Sequence, residues 1–320
     1  MEPRTRSLQA PPTTTRTGAR RRELAHAGLT WIDISQPTAA DVAALRERFR
    51  LDPLALEDVL STIQRPKLEL YSSNEQLFVI FHAPTLDRDN RIVASELDIF
   101  VGREVLITLH DGDLKPLRRV LAAVTSDDQL RAQLMGRGSG YLLYRLLDTL
   151  IKQSFPILYR IDDDLARLDG QVFARPAPGL LRELADLRRD HNTLRHILRP
   201  NTGLSDALRA CQAPFLQIDP QRYFGDNADA LHKLDDLLDE QRDVIDGTAR
   251  TIDSLAVQRT NRLLRMLLVL GAAALPLLAL LALVPALPLP SPLIAPAVVV
   301  LLALLAAGAV LWYARREQLI

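Results

Sequence analysis

The longest apolar stretch of the chain, residues 266–314, carries no charged side chain, although 24% of all residues are charged. Crossing a hydrocarbon core about 30 Å thick takes roughly 20 helical residues, so this stretch is too long for one membrane span and long enough for two. Prolines near its middle remove backbone donors and end helices, so they predict a turn. They are Pro285, Pro288, Pro290 and Pro292. We therefore predict a transmembrane hairpin with a first helix over 263–284, an outer loop over 285–292 and a second helix over 293–313.

Arginines beside the hairpin set its expected orientation. They precede the first predicted helix and follow the second, and the loop between the helices carries none: Arg259, Arg262, Arg265, Arg315 and Arg316. Because basic residues stay on the cytoplasmic side, both termini are expected in the cytoplasm, with residues 314–320 as a short tail. No early apolar stretch resembles a signal peptide. The sequence thus predicts a multi-pass protein of the cell (inner) membrane, in contact with lipid.

Charge balance and cysteine content limit the class of the remaining chain. The 39 basic and 39 acidic residues leave no net charge, which argues against nucleic acid as the main partner because phosphate binding needs a basic surplus. The single cysteine, Cys211, permits no internal disulfide and fits a reducing, cytosolic location. Residues 1–23 are rich in Thr, Pro and Arg and predict a disordered basic tail. A solvated tail and an arm that binds a membrane surface or nucleic acid both stay open.

The next segment, residues 24–130, mixes strand-like and helix-like patterns and predicts an α/β cytoplasmic domain. Alternating apolar residues predict strands over Leu29–Ile34 and Glu104–His110, and two further strands are predicted over Gln76–His82 and Glu96–Val101. Between the first two strands, helical spacing predicts a helix over Ala39–Phe49 and a shorter one opening at Asp52-Pro53. From Leu114 onward the pattern is almost wholly helical.

Residues 131–262 predict the long helices of a cytoplasmic stalk. Two helices, Tyr141–Leu168 and Leu180–Leu198, are expected to pair antiparallel, with the next bend at Pro200. One helix about fifty residues long is expected from Asn227. Its first part carries acidic residues, several of them three or four apart: Asp226, Asp229, Asp235, Asp236, Asp239, Glu240, Asp243, Asp246 and Asp253. These residues predict either a solvated face or a cation-concentrating stalk.

Residue patterns typical of enzymes are missing from the sequence. His191 and His196 lie five apart and so do not share a helix face, and no cluster of Cys or carboxylates completes a metal-ligand set. The glycine-rich segment 136–140 follows no close strand and precedes no Lys-Ser or Lys-Thr, so we interpret it as a flexible loop rather than a phosphate cradle. We therefore predict that the protein is not an enzyme and uses no organic cofactor.

Several motifs together resemble the CorA family of divalent-cation channels. They are Trp31-Ile32-Asp33 with Pro37-Thr38, the run from Leu51 to Leu60, Gln64-Arg65-Pro66-Lys67-Leu68-Glu69, Ile107-Thr108-Leu109-His110, Tyr223-Phe224-Gly225-Asp226, Arg259-Thr260-Asn261 and Leu275-Pro276-Leu277. They follow the family's order over residues 29–320. The resemblance implies the family's fold class, which is an α/β cytoplasmic domain with long stalk helices and a two-helix transmembrane hairpin (CorA-like).

The resemblance also implies an assembly and a function. CorA-like proteins are homopentamers in which the first span of each chain lines a central pore for hydrated magnesium (Mg²⁺) and, in some members, Co²⁺, Ni²⁺ or Zn²⁺. Cytosolic cation bound between subunits favours closure of that pore. Asp226 matches the stalk aspartate that helps hold this regulatory ion, and its hard carboxylate suits Mg²⁺. From the residues alone, Asp226 could equally cap its helix.

The predicted pore departs from the family pattern at its mouth. The family's Gly-Met-Asn, whose Asn carbonyls meet the hydrated ion, is replaced by Pro285, Ala286 and Leu287. A helical period predicts the pore-lining residues Asn261, Leu264, Leu268, Gly271, Leu275, Leu278 and Ala282, of which only Asn261 is polar. Two functions therefore stay open. One is divalent-cation transport with another element in place of the lost ring, and the other is a non-conducting relative that acts as a cation sensor or membrane-anchored partner subunit.

Overall fold

A computed structural model describes residues 20–61, 64–112, 114–172 and 177–283, together with the helical positions Leu301, Gly308 and Trp312. The chain divides into two compact units. The first unit holds the described residues up to Arg167 together with Ala185–Ile245, and the second holds Leu168–Leu184 together with the described residues from Asp246 onward. The α/β part of the chain lies entirely in the first unit.

A six-stranded mixed sheet forms the centre of the first unit. Its strands are β1 (Arg20–His26), β2 (Leu29–Ser35), β3 (Lys67–Tyr71), β4 (Gln76–Leu86), β5 (Ile92–Val101) and β6 (Val105–His110). Their order across the sheet is β1-β2-β6-β5-β4-β3. The β2–β6 pair is parallel, with Ser35 opposite His110, and the other neighbours are antiparallel. The four predicted strands are confirmed as β2, β4, β5 and β6, each with small changes at its ends.

The two edge strands, β1 and β3, were missed by the sequence analysis. Residues 20–23, assigned there to the disordered tail, form the start of β1, so that boundary is wrong. The first four of the seven residues of β1 are charged, which hides the strand pattern. The strand forms because a tight turn pairs it with β2. In that turn Ala27 and Gly28 both have positive φ, 50° and 86°, as a two-residue hairpin requires.

Two short helices cover one face of the sheet. Helix α1 (Ala39–Phe49) begins at a capping box in which the Thr38 hydroxyl accepts from the backbone N–H of Asp41 and the Asp41 carboxylate accepts from the backbone N–H of Thr38. Helix α2 (Pro53–Leu60) begins at Asp52, whose carboxylate accepts from the N–H of Leu54. Both helices bury apolar residues against the strands, so the predicted helices are confirmed. This core contains Ile32, Ile34, Val42, Leu45, Leu51, Ala55, Leu56, Phe78, Ile80, Phe100, Ile107 and Leu109.

The opposite face of the sheet carries Trp31, Ile99 and Leu106, all fully buried. Three further helices follow β6 in the first unit: α3 (Lys115–Ser126), α4 (Asp128–Met135) and α5 (Ser139–Lys152). α5 contacts both β5 and β6, so the sheet is enclosed between helical layers. The predicted change to helical structure at Leu114 is confirmed.

The remaining helices are longer than the sequence analysis predicted, or divided differently. They are α6 (Ser154–Asp169), α7 (Ala177–Ala210) and α8 (Pro220–Leu283). The predicted helix Tyr141–Leu168 is two helices, because α5 ends at Lys152 and α6 begins at Ser154. An ion pair of 3.6 Å between Arg160 of α6 and Asp190 of α7 agrees with the predicted antiparallel pairing of the two helical segments.

The bend predicted at Pro200 is wrong, because α7 continues through it to Ala210. The next residue, Asn201, is fully buried. Its side-chain N–H₂ donates to the backbone oxygen of His82 over 2.7 Å, and its side-chain oxygen accepts from the N–H of His82 over 3.3 Å. His82 lies beyond the paired part of the short strand β3, where these backbone groups of β4 have no strand partner on that side. This tertiary contact stabilises the helix at a position where the proline alone predicts that the helix ends.

Among the described residues, no helix is both long enough and apolar enough to cross a membrane, so the predicted transmembrane hairpin is not seen. Residues 263–283, predicted as the first membrane span, form the last part of α8, so the predicted continuous helix from the stalk into this segment is confirmed. The predicted outer loop over 285–292 lies outside the described residues, as does the second predicted helix over 293–313 apart from three positions.

Candidate functional site

Helix α8 buries one face within the first unit. Apolar residues recur every three or four positions along it, and each is at most 1% exposed: Phe224, Ala228, Leu231, Leu234, Leu238 and Ile245. Two buried polar residues continue this face. Gln241 donates to the backbone oxygen of Leu158 over 3.1 Å, and Asn227 donates to that of Tyr144 over 3.4 Å. The packing therefore fixes which residues of the helix face outward.

The outward face of α8 carries a row of exposed carboxylates spaced three, four or seven residues apart. We call this set the acidic row, and it consists of Asp226, Asp229, Asp236, Glu240 and Asp243. None of its members has a hydrogen-bond or ion-pair partner among the residues that the structure describes. Like charges at this spacing repel one another and destabilise a helix by about 0.2–0.5 kcal/mol per pair. A divalent cation would relieve this repulsion, since carboxylate oxygen is the ligand that Mg²⁺ prefers.

Two other acidic residues of α8 have different surroundings. Asp239 pairs with Arg195 of α7 over 2.6 Å. Asp235 is half-buried, and its Oδ1 has no hydrogen-bond partner within the described parts of the chain. Spacing alone therefore does not distinguish the acidic row from the ion-paired Asp239 and the half-buried Asp235.

Asp226 does not cap its helix, so that alternative is wrong. The helix begins at Pro220, where Oδ1 of Asp219 accepts from the N–H of Arg222 over 3.3 Å. Asp226 lies in the second turn and is exposed. One turn earlier, the Tyr223 ring contacts the rings of Tyr141 and Tyr144 at centroid distances of 5.7 and 5.2 Å.

The electrostatic surroundings of Asp226 include this aromatic cluster. Burial raises the pKa of Tyr144, and the negative charges of Asp148 and Asp226 raise it further. Arg137 lies over the Tyr141 ring, with its guanidinium carbon 3.8 Å from the centroid, and donates to the Tyr223 hydroxyl. Aromatic contacts therefore pack the start of α8 against α5, while the Asp226 side chain is exposed.

The predicted pore-lining residues Asn261, Leu264, Leu268, Gly271, Leu275, Leu278 and Ala282 all lie on α8. Leu264, Leu268, Leu275 and Leu278 are 53–72% exposed. Exposure does not distinguish these predicted pore-lining leucines from their neighbours, because Leu263, Leu267 and Leu270 are 62–65% exposed as well. The predicted filter positions Pro285, Ala286 and Leu287 lie outside the described residues.

His191 and the glycine-rich segment serve the packing of the first unit, whereas His196 is exposed. The Nε2 of His191 lies 2.7 Å from the backbone oxygen of Leu238, in the buried contact between α7 and α8. Residues 136–138 form the tight turn between α4 and α5, where Gly138 has φ 92°. Gly140, in the first turn of α5, packs against Leu216. No group of three His, Cys, Asp or Glu placed to hold a metal occurs in the part of the chain that the structure describes.

The model of the family described as CorA-like Mg²⁺ transporter protein matches residues 26–316, which is most of the chain. The chain belongs to this CorA family. Family membership makes it a relative of membrane transporters for divalent cations rather than of enzymes.

Among CorA relatives, the YfjQ protein of Bacillus subtilis is 27% identical over 247 residues, covering 77% of this chain and 75% of YfjQ. The cobalt/magnesium transport protein CorA of Thermotoga maritima is 25% identical over 253 residues, covering 78% and 70% of the two chains. The complete structure of the CorA magnesium transporter from Methanocaldococcus jannaschii superposes with a TM-score of 0.79 at 19% identity and covers 91% and 92%. This similarity shows that the α/β domain and long helix have the CorA fold.

A second group of charged residues was missed by the sequence analysis. Arg22, Lys115, Arg118 and Arg119 come together around a cavity at one edge of the sheet. Three of them lie within five residues of one another in sequence, which is a signal that could have been noticed. The fourth, Arg22, lies on β1, the edge strand whose pattern the charges hide.

Proposed function

We propose that this CorA-family protein transports divalent metal cations through a central pore, with Mg²⁺ as the principal ion and Co²⁺, Ni²⁺ and Zn²⁺ as competitors. The family match over residues 26–316 carries the proposal. Two relatives named as cobalt/magnesium transport proteins support this choice of ions. The acidic row of α8 adds a physical reason, because unpaired carboxylates along one helix concentrate cations near it.

The proposed assembly is a homopentamer in the cell membrane. In each chain, residues 24–130 and 131–262 form the cytoplasmic domain and stalk, and residues 263–284 and 293–313 span the membrane with both termini in the cytoplasm. The exposed leucines at the end of α8 support this arrangement. Such large apolar side chains are normally covered, and in a pentamer lipid and neighbouring subunits cover them.

Asp226 is proposed to hold a regulatory cation together with neighbouring subunits. Its carboxylate is exposed and has no hydrogen-bond or ion-pair partner among the described residues, so it can join a site that one chain alone does not complete. Bound cation would neutralise repulsion between acidic rows brought together by assembly and would favour the closed state. Transport would then fall as cytosolic Mg²⁺ rises.

The proposed pore mouth differs from that of the family because it lacks the Gly-Met-Asn motif. Residues 285–287 offer no side-chain amide or acid, so the hydrated ion would meet backbone carbonyls that the four prolines leave without helical partners. An otherwise apolar pore lined from Leu264 to Ala282 would pass hydrated ions slowly. We therefore expect cation-dependent but slow flux.

Ion uptake into liposomes tests this function directly. The purified protein is placed in vesicles that hold a magnesium-sensitive dye, with Co²⁺ and Zn²⁺ added as competitors. Vesicles without protein and vesicles with the Thermotoga maritima relative are the controls. Slow influx that competing ions reduce is the expected result. A flat trace beside a working relative would overturn transport and leave the cation-sensing or partner-subunit function.

A further inference from the structure

A cavity of about 480 Å³ opens at the carboxyl ends of the two parallel strands, β2 and β6. Ser35 and His110, paired across these strands, both line it. Helix α3 starts five residues beyond His110, so its N-terminus reaches the same place. In open sheets that contain parallel strands, the carboxyl ends of those strands are where ligands bind. The volume also lies within the range of about 300–1,000 Å³ typical of small-molecule sites.

The walls of this cavity are strongly basic. Arg22 comes from β1, and Lys115, Arg118 and Arg119 come from the first two turns of α3. None of the four side chains has an ion-pair partner among the described residues. Among the described residues that line the cavity, four carry a positive side chain and one, Asp33, carries a carboxylate. Such convergence is unfavourable in the empty protein and favours an anion.

Beside the cavity, the buried side chains of His110 and Asp33 lie close together. The His110 side chain is fully buried, and its Nδ1 accepts from the N–H of Gly112 over 3.0 Å. The ring proton is therefore assigned to Nε2. This atom lies 3.3 Å from Oδ1 of Asp33 but makes no hydrogen bond to any described residue. Oδ1 of Asp33 already accepts from the Thr108 hydroxyl over 2.7 Å.

The start of α3 adds backbone donors to the cavity. Its N-cap residue, Leu114, makes no side-chain capping hydrogen bond, so among the described residues the N–H groups of Lys115 and Leu117 have no capping acceptor, and Pro116 carries no N–H. The preceding Gly112 has φ +102°, which allows the chain to turn sharply out of β6. Asp111, also in this loop, accepts from the Ser95 hydroxyl over 2.7 Å. The uncapped N-terminus is an electropositive end that stabilises phosphate groups.

We propose that this cavity binds a small organic polyphosphate, of the class of nucleoside di- and triphosphates. Two or more phosphate groups match the four basic side chains, and the volume exceeds what a single phosphate fills. The arginines supply the forked donors that suit phosphate oxygens. This site is separate from the acidic row of α8 and from the proposed pore.

Binding is measured by calorimetry on the full-length protein in detergent, with Mg²⁺ absent. The probes are adenosine triphosphate, inorganic triphosphate and inorganic phosphate. The double variant Arg118→Gln/Arg119→Gln is compared with Arg46→Gln/Arg199→Gln, which removes the same charge from exposed arginines elsewhere. We expect the first to weaken triphosphate binding at least about tenfold and the second to leave it unchanged, because charge-assisted hydrogen bonds are lost only in the first.

A third variant distinguishes the contribution of the cavity volume to binding from that of the charges. Ala122, which lines the cavity and is exposed on α3, is replaced by Phe, which keeps every charge but fills the space. Loss of triphosphate binding in this variant supports the cavity as the site. Tighter binding of the nucleotide than of inorganic triphosphate supports a nucleotide ligand, and equal binding supports a site for the polyphosphate alone. No binding of either triphosphate, or equal loss in both double variants, would overturn the proposal.

Discussion

Arg195 of α7 donates a hydrogen bond of 2.6 Å to Oδ1 of Asp239 of α8. The two residues are 44 positions apart in sequence. Their contact neutralises the charge of one carboxylate of α8. The carboxylates of the acidic row have no such partner among the described residues. Whether an acidic residue of this helix is available to a cation therefore depends on whether the neighbouring helix places a basic side chain beside it.

Replacing Asp226 by Ala should weaken the protection that Mg²⁺ gives the protein against proteases. The wild-type protein is expected to become resistant as Mg²⁺ rises, because the cation holds the helices together. The variant should need several-fold more Mg²⁺ for half-maximal protection, since one hard oxygen ligand is lost. Limited proteolysis across a Mg²⁺ series measures this. Glu47→Ala, at an exposed acidic position of α1, is the control, and an unchanged Asp226→Ala curve would remove this residue from the regulatory role.

Asp98 should make the first unit less stable as pH rises. This residue of β5 is 5% exposed, and burial raises the pKa of its carboxyl to about 8, with the charges of Glu96 and Asp58 adding to the effect and that of Lys67 opposing it. The folded protein then holds a proton that the unfolded chain has already lost, so stability falls between about pH 4 and pH 8.

The test of Asp98 is the variant Asp98→Asn, which keeps the shape and removes the titration. We expect it to flatten the dependence of the unfolding free energy on pH, with a gain on the order of a few kcal/mol above pH 8. Urea unfolding at pH 5 and pH 8.5 measures this. Glu47→Gln should retain the wild-type slope, and a variant slope equal to that of wild type would contradict the raised pKa.

Thr108→Val should destabilise the protein by about 1–3 kcal/mol. The Thr108 hydroxyl accepts from Nε1 of Trp31 over 3.2 Å and donates to Oδ1 of Asp33 over 2.7 Å, and all three residues are buried. Valine has the same shape but leaves both partners without this bond. Thermal unfolding measures the loss. Thr85→Val, which removes an exposed hydroxyl from β4, should cost less than about 0.5 kcal/mol, and equal effects would contradict a structural role of the buried hydroxyl.

Gly140→Ala should destabilise the contact between α5 and the 3₁₀ turn Pro214–Leu216. An added Cβ would lie 2.5 Å from the backbone oxygen of Leu216, too close for any real contact, so the two segments would have to separate. We expect a cost of about 1–3 kcal/mol in chemical unfolding. Gly203→Ala, in helix α7 with nothing within 4 Å, should instead be neutral or stabilising by up to about 1 kcal/mol. Equal effects of the two changes would show that the α5 contact is loose.

Sequence reasoning succeeded where local pattern and tertiary burial agree. Helix α1 has both a capping signal at Thr38 and apolar residues at helical spacing, and its predicted bounds match the structure. Strands β4, β5 and β6 are largely buried and rich in apolar residues, so their sequence signal was visible. The edge strands were not visible, because β1 is mostly charged and β3 is short and half-exposed. Edge strands are defined by pairing with a neighbour, and pairing is not encoded in their own residues.

The sequence by itself determined the family, the mixed α/β class, the long helix and the charge-free run that follows it. These features depend on composition, periodicity and the order of motifs, all of which can be read along the sequence without knowledge of tertiary contacts. Only the tertiary structure decided that α7 passes through Pro200, which it does because Asn201 binds the backbone of His82, 119 positions away. Tertiary contacts likewise decided which carboxylates of α8 stay unpaired and that Arg22 meets Lys115 at one cavity. Ion pairing and cavity walls depend on residues distant in sequence, and only the folded backbone brings these together.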